Sequence, residues 1–429
     1  MKRRARVFLG LTEIAGYYAG LRRGFEALGC PVSFVNLSIH PFQYGGETEN
    51  WIIRATIRSR ARRLHSGRLL KPVWFALESI SMLGLFCWAA AQHDLFVFGF
   101  NSTFFRFYEL PILRLLGKKI IYQYHGSDSR PPYLDRKAIN DLGGASSEPF
   151  MREVKRRKRF VSRAERYATA TVNIQPQGHF HEKPFYQWMR VGLPSRPSRT
   201  PDQIKYDPSA NSKVVILHSP SNPEAKGTDR IRKSIEELID SGLPIEYVEI
   251  TGKPNSEVQA ALEQCDLVVD QMFADYGMPG LATEASWFGR PTVIAGYAAE
   301  FWPRELPGDA LPPTYYCLPG DFSDAVRRLV GDGELRKQLG AKARCFVETQ
   351  WAPERVAERY LMIAYGDAPE EWLVNPCDIR YVHGCGLIEK DVRATVRELI
   401  EAHGVEALML SDKPALERRF VEFAAEGKS

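Results

Sequence analysis

The feature that most restricts the fold is an alternation of short, unbroken apolar runs with longer stretches of helical period. "RVFLGL" leads into "YYAGLRRGFEALGC", "PVSFVNL" and "DLFVFGF" follow, and "FRFYELPILRLLGK" precedes "KIIYQYHG". Apolar runs without polar alternation read as strands buried on both faces, and helices between them specify a parallel sheet covered on both sides. The alternation restarts at "KVVILHS" and continues through "IEYVEITG", "CDLVVDQMF" and "PTVIAG". Between the two series lies "LPSRPSRTPDQIKYDPSANS" (Leu193–Ser212), rich in Pro, Ser and charge and without a sustained period, which reads as a linker. A chain of 429 residues exceeds one comfortable hydrophobic core. The expected fold is therefore α/β, with two doubly wound domains facing a cleft, over residues 1–197 and 198–365. Residues 366–429 form a helical extension whose two amphipathic helices, "EKDVRATVRELIEAHG" and "PALERRFVEFAAE", are expected to pack on their own domain.

Charge divides along the same line. Residues 1–200 hold 32 Lys and Arg against 14 Asp and Glu, and the remainder holds 25 against 38. A basic first half and an acidic second half suit two domains that face different partners. The cations concentrate in "RATIRSRARRLHSGRLLK" (Arg54–Lys71) and "REVKRRKRFVSR" (Arg152–Arg163). Such runs either serve as solvated helix faces or attract an anionic membrane surface, a pyrophosphate-bearing acceptor or nucleic acid. Nucleic acid fits least, because stacking aromatics are not interleaved with the cations. Seven dispersed cysteines without CxxC pairs point to reduced thiols and a cytoplasmic protein. The opening "MKRRARVFLGLTE" reads as a first buried strand, since its apolar run stops at Leu11. "PVWFALESISMLGLFCWAAA" (Pro72–Ala91) is near the minimum length of a span and is interrupted by Glu78, Ser79 and Ser81. It is expected as a buried helix between two strands, with peripheral attachment through the preceding basic segment left open.

In open parallel sheets ligands gather outside the carboxyl ends of the strands, so the residues there are the candidates. After the first strand, Gly16 and Gly20 flank two tyrosines, where a glycine either makes a routine turn or lets backbone approach a phosphate. After "KIIYQY" come His125, Asp128 and Arg130, which either orient sugar hydroxyls and a departing phosphate or form a polar turn with Asp128 paired to Arg130. The stretch "HSPSNPEAKGTDR" occupies the matching place in the second domain. Its Ser219, Asn222, Lys226 and Gly227 form either a capped turn or an anion grip at a helix start. It is not a P-loop, since the glycine spacing is absent. In "YGMPGLATEASWFGRPTVI", Tyr276, Gly277 and Glu284 follow a strand. Glu284 suits either the positive end of a helix or a bidentate grip on paired ribose hydroxyls. Gly252 closes the strand between these two stretches.

"LHSPSNPEAKGTD", "CDLVVDQMFADYGMPGLATEASWFGRPTVI", "TQWAPERVAERY" and the pair "HDLFVFGF" and "KKIIYQYHGSD" together resemble retaining glycosyltransferases of the GT-B fold, family 4, of a bacterial surface-polysaccharide type. The similarity spans roughly residues 5–365. It implies two Rossmann-like domains, a nucleotide-diphosphate sugar as co-substrate, and a glycan or lipid-linked hydroxyl acceptor at the inner face of a membrane. By resemblance, Lys226 contacts the donor diphosphate, Glu284 the donor ribose, Gly16 the loop nearest the phosphates, and His125 the reacting sugar. Ser219, Asn222, Gly227, Gly252, Tyr276 and Gly277 complete the donor site, and Asp128 and Arg130 the sugar or acceptor side. Two departures stand out. The family's first glutamate is Tyr276 here, beside Asp275, and its arginine five residues before the lysine is Ser221. One cationic phosphate ligand of the family is therefore either missing here or supplied from elsewhere, with Arg130 across the cleft as the candidate. No Asp-x-Asp motif stands where a diphosphate would need a divalent ion, so no metal or other cofactor is expected. The rival reading is a GT-B scaffold or partner subunit with a decayed site.

Overall fold

The computed structural model describes residues 5–37, 50–197 and 212–426. Most of the expected linker, at 198–211, lies outside them. Two sheets organise the chain. The first contains β1 (Val7–Leu11), β2 (Val32–Asn36), β3 (Leu95–Gly99), β4 (Lys119–Gln123), β5 (Ala170–Asn173) and β6 (Phe185–Gln187). The second contains β7 (Val214–His218), β8 (Ile245–Glu249), β9 (Leu267–Val269), β10 (Thr292–Ala295) and β11 (Tyr315–Cys317). A last short strand, β12 (Leu373–Val374), returns to the first sheet and pairs antiparallel with β6. Every other pairing between these strands is parallel.

Strand order is β12-β6-β5-β4-β3-β1-β2 in one sheet and β11-β10-β9-β7-β8 in the other. In each, the second strand in sequence lies on one side of the first and all later ones on the other. The order therefore reverses between β1 and β3 and between β7 and β9, and ligand crevices form outside the carboxyl ends at such reversals. The apolar runs behave as their composition requires: β1 and β3 are buried at every position.

From Pro353 onward the chain returns to the first domain. Helix α1 (Tyr17–Ala27) packs against the helix Pro353–Tyr365, which sequence reasoning placed with the second domain. Contact is so close that a Cβ on Gly24 would lie 2.0 Å from the Pro353 carbonyl oxygen. Tyr17 and Tyr360 share a hydrogen bond of 2.8 Å between hydroxyls, and Tyr360 donates to Gln123 at 2.8 Å. The extension beyond residue 365 is mainly part of the first domain's core. Its Val392, Leu399, Leu408 and Phe420 pack with Tyr133, Phe150 and Val154. The Tyr133 hydroxyl donates to Leu408 O at 3.0 Å.

The expectation of a buried helix at Pro72–Ala91 is corrected. Helices α2 (Trp51–His65) and α3 (Lys71–Gln92) form a hairpin, and only the second half of α3, at Met82, Leu85, Phe86, Ala89 and Ala90, is buried. The second basic run is also partly internal. Arg157 pairs with Asp135 and Glu153, and Lys158 with Glu182 and Asp412, which leaves fewer of its cations for an outside partner.

Gly24→Ala is expected to destabilise the protein by about 2–3 kcal/mol, the usual cost of overpacking a tight contact, read as a lower urea midpoint at unchanged m.

Candidate functional site

Loops from both sheets meet at their carboxyl ends. From the first sheet, β1 runs into Glu13–Gly16, and Ala15 and Gly16 both adopt left-handed backbone (φ 48° and 79°) before α1 begins. Glu13 fixes this turn: its carboxylate accepts N–H bonds from Ile14 (2.7 Å), Tyr18 (3.2 Å) and Ala19 (2.8 Å), capping the helix start. His125, two residues past β4, lies edge-on to Tyr17 (4.9 Å between centroids), and its Nε2 lies 3.2 Å from the Tyr18 hydroxyl. Burial pushes its pKa down to about 3, so the imidazole is neutral at physiological pH.

Asp128 is buried and does not pair with Arg130. It accepts the backbone N–H groups of His125 (2.9 Å) and Phe100 (3.1 Å), tying the ends of β3 and β4 together. Burial raises its pKa to about 6, with those N–H bonds opposing the shift. Arg130 crosses to the other domain, its Nε 3.0 Å from Asp275 Oδ2, and both side chains are almost fully enclosed. Gln177 donates to the same carboxylate at 3.0 Å. The expectation that Arg130 replaces a phosphate-binding arginine, or binds sugar, is therefore corrected. Its guanidinium is committed to a buried interdomain pair, and neither cavity of the cleft described below is lined by it.

From the second sheet, His218 ends β7 with Nδ1 at 2.9 Å from Val269 O and Nε2 at 2.9 Å from the Thr228 hydroxyl. It thereby locks β7, β9 and the helix Thr228–Asp240 together. Ser219 donates to Ile250 O at 2.9 Å. Asn222 caps the single turn Pro223–Lys226 by accepting from Ala225 N at 3.1 Å. Gly227 (φ 70°) makes the left-handed junction to the next helix, with a would-be Cβ 3.1 Å from Met272. Lys226 Nζ lies 3.0 Å from Asp270 Oδ1, and Asp270 also accepts from Ala282 N at 3.0 Å. The lysine is thus aimed by a buried carboxylate and retains partial exposure. Glu284, in the short helix Gly280–Trp287, accepts a bond from Asn255 at 3.4 Å. Burial lifts its pKa to about 7, with the Asn255 bond opposing and the nearby Asp270 charge assisting.

These groups line one cleft. A cavity of about 300 Å³ is bounded by Ser219, Lys226, Gly252, Tyr276 and Glu284 on one side and by Ala15 on the other. A smaller one of about 100 Å³, lined by Tyr17, His125, Gln177, Trp188 and Tyr276, shares the Ala15, Tyr276 and Gly280 walls. Gly16 and Glu284 meet in an adjoining recess. Asn222, Gly227 and Gly277 do not line the first two cavities; the first two shape the turn carrying Lys226. Gly277 packs under Tyr316 and accepts the Thr314 hydroxyl. The Tyr276 ring stands edge-on to Trp188 at 5.2 Å, at the junction of the two cavities. Sequence reasoning missed Asp270, Tyr18 and Glu13 as the residues that hold Lys226, His125 and the Gly16 turn. Asp270 carried a usable signal as a carboxylate ending the run "CDLVVD". Lys253 and Asn255, which also line the larger cavity, carried none. Among the described residues no group of three His, Cys, Asp or Glu side chains is gathered as a metal-ligand set.

No family model matches the chain, and no curated protein matches it in sequence. Among solved structures, the catalytic domain of starch synthase IV from Arabidopsis thaliana, bound to ADP and acarbose, aligns over 85% of this chain and 99% of its own, with a TM-score of 0.51 and 11% identity. The fold is GT-B. S. aureus MnaA with UDP aligns over 85% of this chain and 97% of its own (TM-score 0.46, 12% identity). Anabaena Alr3699/HepE with UDP-glucose aligns over 84% and 98% (TM-score 0.46, 13% identity).

Two outcomes test the GT-B cleft. Arg130→Met leaves Asp275 buried without its counter-ion and is expected to cost about 3–5 kcal/mol in urea unfolding, with Arg130→Met/Asp275→Leu recovering much of the loss. The raised pKa of Glu284 means its protonated form is favoured in the fold. That contribution is full below its ordinary 4.5 and is lost as pH rises through about 7. The ligand-free protein should therefore lose Tm between about pH 5 and 8, and Glu284→Gln should lose less over the same window.

Proposed function

We propose that the protein transfers a sugar from a nucleotide-diphosphate sugar to a hydroxyl acceptor. The observation that carries this reading is the cleft itself. At the strand-order reversals of two facing sheets, Lys226, Glu284 and the Ser219 loop of the second domain confront the Ala15–Gly16 turn and His125 of the first. The aligned starch synthase domain, which has the same fold, is bound to ADP and acarbose, and this supports reading the cleft as a place for a nucleotide and a sugar.

In this reading the donor lies across the larger cavity. Glu284, as a carboxylate, takes the paired ribose hydroxyls, and Lys226 takes the diphosphate. The lysine then shares its charge between Asp270 and the ligand, so Asp270 sets both its direction and its grip. The backbone of the Ala15–Gly16 turn, held by Glu13, walls the phosphates from the other side. The sugar projects into the smaller cavity, where neutral His125, held by Tyr18, hydrogen-bonds a sugar hydroxyl without adding a charge. Tyr276, in place of the family's first glutamate, gives that wall an aromatic ring and a hydroxyl. The bond from the anomeric carbon to the diphosphate oxygen breaks, a bond to the acceptor oxygen forms, and the acceptor proton passes to the departing diphosphate. The protein contributes positioning and stabilisation of the leaving diphosphate. Retention of configuration, membership of family 4, independence of metal and a role in surface-polysaccharide or glycoconjugate synthesis at the cytoplasmic face follow from the sequence resemblance and belong to this proposal.

Thermal shift against UDP, GDP, ADP, dTDP and CMP tests it. A nucleotide at a hundred times its Kd adds about 2.7 kcal/mol to the folded state. One nucleotide is expected to stabilise the wild type and to lose its effect in Lys226→Ala and Glu284→Ala. Stabilisation by none of them would sink the donor assignment and favour a scaffold.

A further inference from the structure

The α2–α3 hairpin has a construction that the cleft does not explain. Helix α3 has 22 residues, about 33 Å of helix, whereas the five-residue strands beside it cover about 17 Å. Its buried positions begin at Met82, and it ends at Gln92 just before β3 starts at Leu95. The buried half therefore runs back along the sheet, and the half from Lys71 to Ser81 overshoots the carboxyl ends of the strands. That is the edge on which the cleft opens. Helix α2 runs antiparallel beside it, tied by Ser59 to Ser81 (3.2 Å), Arg63 to Glu78, and Arg62 stacked over Trp74 (4.8 Å).

The projecting arm is apolar where a soluble helix is polar. Leu69 is 92% exposed, Ile80 68% and Phe75 61%, with Leu70, Val73 and Leu77 beside them, and Trp51 is 70% exposed at the other end of the hairpin. An open groove of about 430 Å³ between the helices is lined by Trp51, Trp74, Leu77 and Ile80. Around this surface the hairpin carries seven cations (Arg54, Arg58, Arg60, Arg62, Arg63, Arg68 and Lys71) and one carboxylate, Glu78, which Arg63 and Arg60 already engage.

We propose that this arm docks in the interface of an anionic lipid bilayer. An apolar surface with aromatic anchors ringed by arginines matches acyl chains below negative headgroups. A second copy of the arm would bring like charges together, so self-association fits poorly. By composition α3 is long and apolar enough to cross a membrane. Its second half, however, is committed to the sheet, and the free half, about 16 Å long, falls short of a core of about 30 Å. The arm enters one leaflet only. Because it projects past the cleft-bearing edge, docking turns the opening toward the headgroups. That an acceptor hydroxyl is presented there rests on the glycosyl-transfer reading, whereas the docking does not.

Flotation of the full-length chain with vesicles tests the proposal. Partition into phosphatidylcholine vesicles containing one third phosphatidylglycerol is expected to exceed that into phosphatidylcholine alone by at least about tenfold and to fall with salt. Phe75→Glu/Ile80→Glu and Arg54→Glu/Arg58→Glu should each lose most of it while keeping the wild-type Tm and nucleotide shift. The proposal is overturned if the wild type does not float, if both variants float as well as it does, or if sedimentation velocity shows a wild-type dimer that Phe75→Glu/Ile80→Glu splits. Vesicle binding with no nucleotide shift would leave the arm in place and remove the donor reading alone.

Discussion

The geometry of the cleft depends on one guanidinium buried against one carboxylate across the domain boundary. Arg130 leaves the end of β4, Asp275 follows β9, and their contact fixes how far apart the two rows of strand ends stand. Gln177 donates to the same carboxylate oxygen as the guanidinium, and the Tyr381 hydroxyl donates to the other at 3.5 Å. A pair so enclosed offsets its desolvation only when the remaining hydrogen-bonding capacity is met, and these two neighbours serve both oxygens of the carboxylate. Charge that sequence reasoning assigned to a ligand is spent instead on holding both halves of the ligand site in register.

The same economy recurs on a smaller scale. Three of the groups facing the cleft are held from behind by a buried partner: Lys226 by Asp270, His125 by Tyr18, and the Gly16 turn by Glu13. Because the holding groups sit on the strand ends and first helical turns, the facing groups inherit the rigidity of the sheets. Burial also separates the acids and bases by environment, leaving His125 neutral and Glu284 close to its titration point.

Much of this was legible in the residues. Uniformly apolar runs at β1, β3, β4 and β7 announced parallel strands, and the polar stretches after them supplied most of the cavity lining. The partnership of Arg130 was not legible, because Asp128, two positions away, is the obvious local mate while Asp275 lies 145 residues on. Local spacing ranks the near carboxylate first, yet the structure gives Asp128 to two backbone N–H groups that no side-chain pattern reveals. Helix α3 misled for a related reason. Its composition is that of a buried segment, and only its length against that of the neighbouring strands shows that half of it finds nothing to cover it. The short strands β6, β11 and β12 have too few residues to show a period.

The first domain is assembled from both ends of the chain. Helix Pro353–Tyr365 closes over α1, β12 extends the first sheet, and Leu408 and Phe420 fill the core around Tyr133. During vectorial synthesis, then, the earliest segments emerge without the surfaces that complete them, and the second sheet is made before the first domain can finish. The order of manufacture runs opposite to the order of closure. The core around Tyr133 is sealed only when Leu408 and Phe420, made after the whole of the second sheet, fold back onto it.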